Sequence, residues 1–316
     1  MKKDYSVIKV GIVGLGNIGK KRLSALKKIK KYKIVISFII DKNVINNKKL
    51  SQIPFFTDFN KIKSTDVDLI IISTPTKITE KILKKFSGKF NFLVEKPISN
   101  NILLLKRFIK ESNKNNKILK VGYNLRFDPG LNSLKNKIKL IGQIYFIKIT
   151  YANGTALTNT NKVGSVLDMA THSINLLEWL LNSSNLILKS NFEQKNEFLK
   201  KKITDNGFII LRNKNTIINI HHSFCNWKNN FSLEISGSNG YLICNSLTKW
   251  GNQEIIFGKR KYPSGKPYEK KKIFKKDYSW INEILYTINI IKNNYKNLTK
   301  INVESLNTLK IIKKII

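Results

Sequence analysis

Short apolar runs alternate with amphipathic stretches through the N-terminal part of the chain. Ile8–Gly14, Lys33–Ile40, Val67–Ser73 and Asn91–Val94 each read as a strand buried on both faces. Asn17–Lys30 carries Ile18, Leu23, Leu26 and Ile29 at helical spacing, and Lys77–Phe86 and Ile102–Asn115 follow as further helices. Lys120–Tyr123 predicts a closing strand. Strands alternating with helices imply a parallel sheet covered on both faces.

The pattern changes after Asn124. Gln143–Tyr151, Phe208–Leu211, Thr216–His222 and Asn230–Ile235 predict longer strands, and Asn239-Gly240 marks a hairpin between Ser232–Ser236 and Tyr241–Cys244. Val163–Leu181 is the one strong helix inside this half, and Trp280–Asn293 and Val303–Ile315 predict closing helices. The expected class is therefore α/β. A Rossmann domain over residues 1–122 precedes an α/β domain over 123–316 with a large open mixed or antiparallel sheet.

A formal charge of +38 raises the question of nucleic acid. The excess is almost all lysine, with arginine only at positions 22, 107, 126, 212 and 260. Alanine is equally scarce while Asn and Ile abound, which is what an AT-rich genome writes. Nucleic-acid readers lean on arginine, whose planar fork matches guanine edges and phosphates. The lysines are instead spread, as in Lys27–Lys33, Lys200–Lys202 and Lys270–Lys276. They read as solvated surface, and no nucleic-acid partner is expected. Two cysteines without metal spacing, no signal-peptide pattern and no apolar stretch approaching about 20 residues predict a cytoplasmic protein off the membrane.

Gly14-Leu15-Gly16-Asn17-Ile18-Gly19 is GxGxxG, set between a predicted strand and a predicted helix. That context is what dinucleotide binding requires. Gly14 permits the tight turn, Gly16 lets backbone approach a pyrophosphate, and Gly19 lets the helix pack closely on the strand. The helix N-terminus offers unpaired N–H groups to phosphate. Asp41 follows the second strand, where a carboxylate can bind ribose hydroxyls and repel a 2′-phosphate, so NAD is expected rather than NADP. Lys42 beside it could meet the extra phosphate.

From these residues the chain resembles the Gfo/Idh/MocA family, named for glucose–fructose oxidoreductase and inositol dehydrogenase. The marks run over nearly the whole chain: VGIVGLGNIG at 10–19, Ser73-Thr74-Pro75, Glu95-Lys96-Pro97, GYNLRFDPG at 122–130, GSVLDMATH at 164–172, and ISGSNGYL at 235–242. The resemblance implies a Rossmann domain joined to an α/β domain whose open sheet makes a homo-oligomer interface. It also implies oxidation or reduction of a sugar, nucleotide-sugar or cyclitol carbon with NAD(P), in a setting such as surface-glycan synthesis. It carries Ser73, Thr74, Pro75, Glu95 and Lys96 into the cofactor site and makes Lys96, Asp168 and His172 the catalytic trio. One departure is visible: many members have a histidine a few residues after Thr-Pro, where Lys77 and Thr79 stand here.

The residue types suit that chemistry. Taking hydride from a secondary alcohol requires a base for the hydroxyl proton and a cation for the developing alkoxide. His172 can be the base, with a pKa near working pH. Asp168 lies four residues earlier, where it can orient the imidazole or bind a substrate hydroxyl. Ala170, Ile174, Leu177 and Leu181 share an apolar face; Asp168, His172, Asn175 and Trp179 are placed opposite, toward open space. Lys96 follows an apolar strand at its carboxyl end, where open α/β sheets bind ligands. Asn124 and Arg126 are candidates for nicotinamide or substrate contacts, with a salt bridge as the alternative for Arg126. Of His221-His222, one side chain should point inward for packing. No metal site is expected. Two other functions remain open at this point: a glycoside hydrolase that uses bound NAD, and a non-catalytic dinucleotide sensor.

Overall fold

The computed structural model describes residues 6–43, 52–62, 67–158, 163–199, 203–293 and 298–316. Lys200–Lys202 lie outside the described residues. The chain forms two compact units, one of Met1–Asn124 with Trp280–Leu306 and one of Leu125–Ser279 with Asn307–Ile316.

The first unit runs β1 (Val7–Val13), α1 (Asn17–Lys27), β2 (Lys33–Ile40), β3 (Phe55–Phe56), β4 (Leu69–Ile72), α2 (Thr76–Phe86), β5 (Phe92–Val94), α3 (Ile102–Lys114) and β6 (Leu119–Val121). The strands are parallel in the order β3-β2-β1-β4-β5-β6. This is the Rossmann order, which reverses between β1 and β4. Leu69–Ile72 and Phe92–Val94 are wholly buried, which is why they appear in sequence as continuous apolar runs.

The sequence suggests a single boundary near residue 122, but the chain divides again further on. Ile284 and Ile288 of the helix Ser279–Lys292 join the core formed by Val10, Ile12, Leu26 and Leu69. Asn302 accepts the Leu119 amide at 2.7 Å, filling a backbone bond at the edge strand β6. The apolar face of that late helix thus completes the first unit's core, and the unit is discontinuous in sequence.

The second unit contains α4 (Pro129–Lys137), β7 (Ile144–Ala152), a π-helical turn (Val166–Ala170) running into α5 (Thr171–Leu181), and then β8 (Ile187–Gln194), β9 (Asn206–Asn213), β10 (Thr216–Ser223), β11 (Asn230–Gly237), β12 (Gly240–Asn245), β13 (Gln253–Lys259) and β14 (Tyr268–Phe274). The helix Leu306–Ile315 closes the chain. The eight strands lie in the order β14-β13-β12-β11-β7-β10-β9-β8; β7 and β10 are parallel and the other pairs antiparallel. One face packs Ile149, Ile220, Leu233 and Leu242 against Ile174 and Leu177 of α5 and Ile312 of the last helix. The other face leaves Tyr145, Phe192, Phe208 and Ile217 exposed.

Candidate active site

The glycine loop is built as its spacing predicts. Gly14 has φ +88°, and a Cβ there would meet the Ser73 carbonyl oxygen at 2.7 Å, so both backbone angle and space require glycine. A Cβ on Gly19 would meet the Gly14 oxygen at 2.0 Å, the close helix–strand approach the third glycine serves. Gly16, Asn17 and Ile18 are exposed, and a Cβ on Gly16 would have open space around it. Gly16 is also the N-cap of α1, and no side chain caps that end. The first-turn amides are therefore left for an external acceptor, and a dinucleotide phosphate fits there.

Asp41 has a second task that the spacing did not reveal. Its Oδ2 accepts the Leu15 amide at 2.6 Å and its Oδ1 accepts the Asn43 amide at 3.0 Å. The carboxylate thereby ties the end of β2 to the glycine loop. Lys42 beside it is exposed.

Ser73, Thr74 and Pro75 follow β4 as a turn into α2. Thr79, in the stretch where many relatives carry histidine, is buried. It donates to the Thr74 carbonyl at 3.1 Å, and its hydroxyl lies 2.9 Å from that of Thr74. A threonine in this position braces the turn from beneath. Ser73 Oγ is buried with no hydrogen-bond partner among the described residues, beside the Gly14 turn.

Glu95 and Lys96 leave the carboxyl end of β5, and both are half-buried. Glu95 is gripped by Arg22 of α1, whose Nε and Nη2 donate to Oε1 at 2.8 and 2.6 Å. Arg22 also donates from Nη1 to Glu283 at 2.6 Å and lies over the Trp280 ring at 4.4 Å. Burial opposes the Arg22 charge, yet the two carboxylates outweigh it and hold the guanidinium firmly protonated. A Cβ on Gly122 would meet Arg22 Nη2 at 2.5 Å, so the glycine of GYNLRF makes room for this cation. Arg22 was not singled out in sequence; its place on the helix after GxGxxG was the available signal.

Asp168 and His172 lie in the second unit, whereas Lys96 lies in the first. Asp168 sits within the π-helical turn and His172 at the start of α5, and both are half-buried. The π turn adds a residue to the helical ring, a local irregularity common at functional sites. Ala170, Ile174 and Leu177 are buried as the apolar face predicts. Asn175, expected on the open face, is fully buried: its Nδ2 donates to Thr308 Oγ1 at 3.1 Å. Thr308 in turn donates to Glu178 at 2.6 Å. The last helix covers that side of α5, which sequence periodicity within α5 cannot show. Asn124 and Arg126 are both buried. Arg126 donates to the Asn175 carbonyl at 3.3 Å, bracing α5 from below.

His222 points inward with no exposed surface and His221 toward the opposite face, as strand alternation requires. His222 Nδ1 lies 3.0 Å from Ser165 Oγ and Nε2 lies 3.1 Å from Glu193 Oε1. Ser165 immediately precedes the π turn, so this buried chain anchors the start of the segment carrying Asp168. His221 instead stacks on Phe208 at 4.5 Å and contacts Asn206 at 3.0 Å.

A further cation stands beside α5. Lys249 lies in a short 3-10 turn, Thr248–Trp250, after β12. Thr248 fixes that turn by donating to the buried Asp128 carboxylate at 2.7 Å. Lys249 Nζ donates to the Tyr151 hydroxyl at 2.7 Å, and the Tyr151 ring meets His172 edge-on with centroids 5.8 Å apart. In a chain this rich in lysine, only the adjacent Trp250 distinguished this residue.

Two family models match along the chain. An oxidoreductase family with an NAD-binding Rossmann fold matches residues 8–123, and the Gfo/Idh/MocA C-terminal domain matches residues 138–243. The chain belongs to the Gfo/Idh/MocA family. It is an NAD(P)-dependent oxidoreductase by membership and by its glycine loop. It is 23% identical over 248 residues to an inositol 2-dehydrogenase/D-chiro-inositol 3-dehydrogenase of Lacticaseibacillus casei, covering 75% of this chain and 72% of that protein. An uncharacterized oxidoreductase of Bacillus subtilis is 28% identical, with 56% of this chain and 54% of that protein covered. Among solved structures, a UDP-N-acetylglucosamine 3-dehydrogenase from Acidithiobacillus ferrooxidans superposes with a TM-score of 0.80 at 15% identity, covering 98% of this chain and 96% of that one. A 3-ketoreductase from Actinomadura kijaniata with bound NADP superposes equally well at 13% identity, again over 98% of this chain and 96% of that one.

Proposed function

We propose that this Gfo/Idh/MocA member interconverts a CH–OH group and a ketone on a sugar, nucleotide-sugar or cyclitol ring, with Lys96, Asp168 and His172 as its catalytic residues. The observation carrying the reading is the placement of half-buried Asp168 and His172 four residues apart on one anchored helical segment, in a chain that also presents Lys96 at the carboxyl end of β5. When bound, a nicotinamide dinucleotide accepts or gives the hydride. His172 takes the proton from the substrate hydroxyl and returns it in the reverse direction. Lys96 donates to the substrate oxygen and stabilises its alkoxide character. Asp168 orients the imidazole or holds a neighbouring hydroxyl.

NAD is the proposed cofactor, held by Gly14, Gly16, Asn17, Ile18 and Gly19, with Asp41 toward the ribose and Ser73, Thr74, Pro75 and Glu95 around the nicotinamide half. The exposed apolar residues on the open sheet face, including Phe192 and Phe208, support a homo-oligomer formed through that face. Both cysteines are free, which suits a reducing cytosol. No described helix is long and apolar enough to cross a membrane.

The test is incubation with NAD⁺ or NADP⁺ and a panel of sugars, nucleotide sugars and cyclitols, following reduced nicotinamide and identifying the oxidised carbon. Reduction of the cofactor coupled to a keto product supports the reading. Cleavage of a glycosidic bond, or cofactor binding with no turnover on any ring alcohol, would contradict it.

A further inference from the structure

Lys249 differs from the solvated lysines that dominate this chain. Its Nζ contacts the Tyr151 hydroxyl at 2.7 Å and lies over the Tyr151 and Trp250 rings, 5.1 and 4.6 Å from their centroids. Among the described residues it forms no ion pair. The side chain is nevertheless open to water, although protein surrounds it on most sides. Desolvation is the largest influence and lowers its pKa to about 8, against the pull of Asp168, Asp277 and Asp128. The attraction of Asp168 places this ammonium in the field of the proposed catalytic pair, and Tyr151 bridges it to the edge of the His172 ring. The turn is held rather than loose, because Thr248 is buried and bonded to Asp128.

A cation that is partly desolvated, makes no ion pair among the described residues and is held in place is suited to receive an anion, even with Asp168, Asp277 and Asp128 in its wider field. We propose that Lys249 and the Tyr151 hydroxyl form a subsite for a carboxylate substituent on the substrate ring, so that the enzyme acts on an acidic sugar. The Lys249 ammonium pairs with the carboxylate, the Tyr151 hydroxyl adds a hydrogen bond, and the Trp250 face packs along the ring. The carboxylate is thereby fixed at one end of the substrate while its hydroxyl is presented to His172. The proposal rests on the oxidoreductase reading above for what happens to that hydroxyl.

The test is equilibrium binding to the NAD-loaded protein, read through tryptophan fluorescence. It uses two matched pairs, D-glucuronate against D-glucose and UDP-glucuronate against UDP-glucose. The acid in at least one pair should bind roughly ten- to a hundredfold more tightly, the usual worth of a charge-assisted hydrogen bond. Lys249→Met should erase that preference with NAD affinity unchanged, Lys249→Arg should retain part of it, and Tyr151→Phe should reduce it. His172→Ala should keep the preference while losing turnover. Because the readout is binding, a failed proton-transfer mechanism and a failed subsite give different results. Equal or absent binding of the acid in both pairs, or a preference that survives Lys249→Met, overturns the proposal.

Discussion

Leu15 donates its backbone N–H to Asp41 Oδ2 at 2.6 Å, so the carboxylate at the end of β2 also fastens the glycine loop. If NAD is the cofactor as proposed, cofactor choice and loop geometry depend on one side chain. Asp41→Asn keeps an acceptor for Leu15 and removes the charge that repels a 2′-phosphate. It should raise NADP(H) affinity with little change in the loop. Asp41→Ser loses both functions and should weaken NAD(H) as well as narrowing the preference. Titration of both cofactors against wild type and the two variants checks this, and wild-type protein that binds NADP(H) more tightly would show that Lys42 overrules Asp41.

Arg22 is fully buried between Glu95 and Glu283, and it is the link from the cofactor helix to the strand end that bears Lys96. Arg22→Met strands the fully buried Glu283 carboxylate and the half-buried Glu95 carboxylate without their cation. Breaking such a buried pair costs about 3–5 kcal/mol. The variant should therefore unfold at distinctly lower denaturant concentration, and any folded fraction should turn over slowly because Glu95 no longer fixes Lys96. Glu283→Gln, which leaves the Arg22–Glu95 bonds intact, should cost less. Equal stability of Arg22→Met and wild type in urea titration would contradict the link.

Lys249 offers a pH test with a definite sign. Its folded-state pKa is lowered to about 8 from an ordinary 10.5, mainly by desolvation. Below pH 8 the folded protein carries the full cost of that charge. Between 8 and 10.5 the folded state releases the proton that the unfolded chain still holds, so the cost fades as pH rises. Stability of wild type relative to Lys249→Met should thus improve across this window and be flat below it. Paired melting curves at graded pH would reveal a flat difference throughout if Lys249 were an ordinary surface lysine.

How much of this was legible in sequence depends on burial. The Rossmann strands were readable because strands covered on both faces are solid apolar runs, such as Leu69–Ile72. The edge strands were not: β8 has no buried position, only half-buried and exposed ones, and β14 (YEKKKIF) is exposed along nearly its whole length. Lysines on such an edge protect it from pairing with other chains while hiding its strand character. The GxGxxG loop, Lys96, Asp168 and His172 carried local signatures. The π turn, the burial of Asn175 beneath Thr308 and the pairing of Lys249 with Tyr151 come from contacts between distant segments, and no local pattern encodes them.

The open sheet face yields a prediction about assembly. Phe192 and Phe208 are paired neighbours on β8 and β9 and are both exposed. Replacing them together with glutamate should dissociate an oligomer formed through this face while leaving the fold intact, since neither side chain enters the core. Light scattering on wild type and the double variant decides it. An unchanged molar mass would place any interface elsewhere.

The central claim is that Lys96 and His172 perform proton and charge chemistry rather than support the cofactor. The most direct measurement is turnover together with NAD affinity, on an identified substrate, for wild type, His172→Ala and Lys96→Ala. Turnover should fall by roughly 10²–10⁴-fold in His172→Ala, the usual contribution of a positioned acid–base group. Lys96→Ala should lose turnover too, because the alkoxide loses its cation. Neither change touches the glycine loop or Asp41, so NAD affinity should remain nearly constant. Full turnover in both variants, or loss of NAD binding in both, would contradict the account.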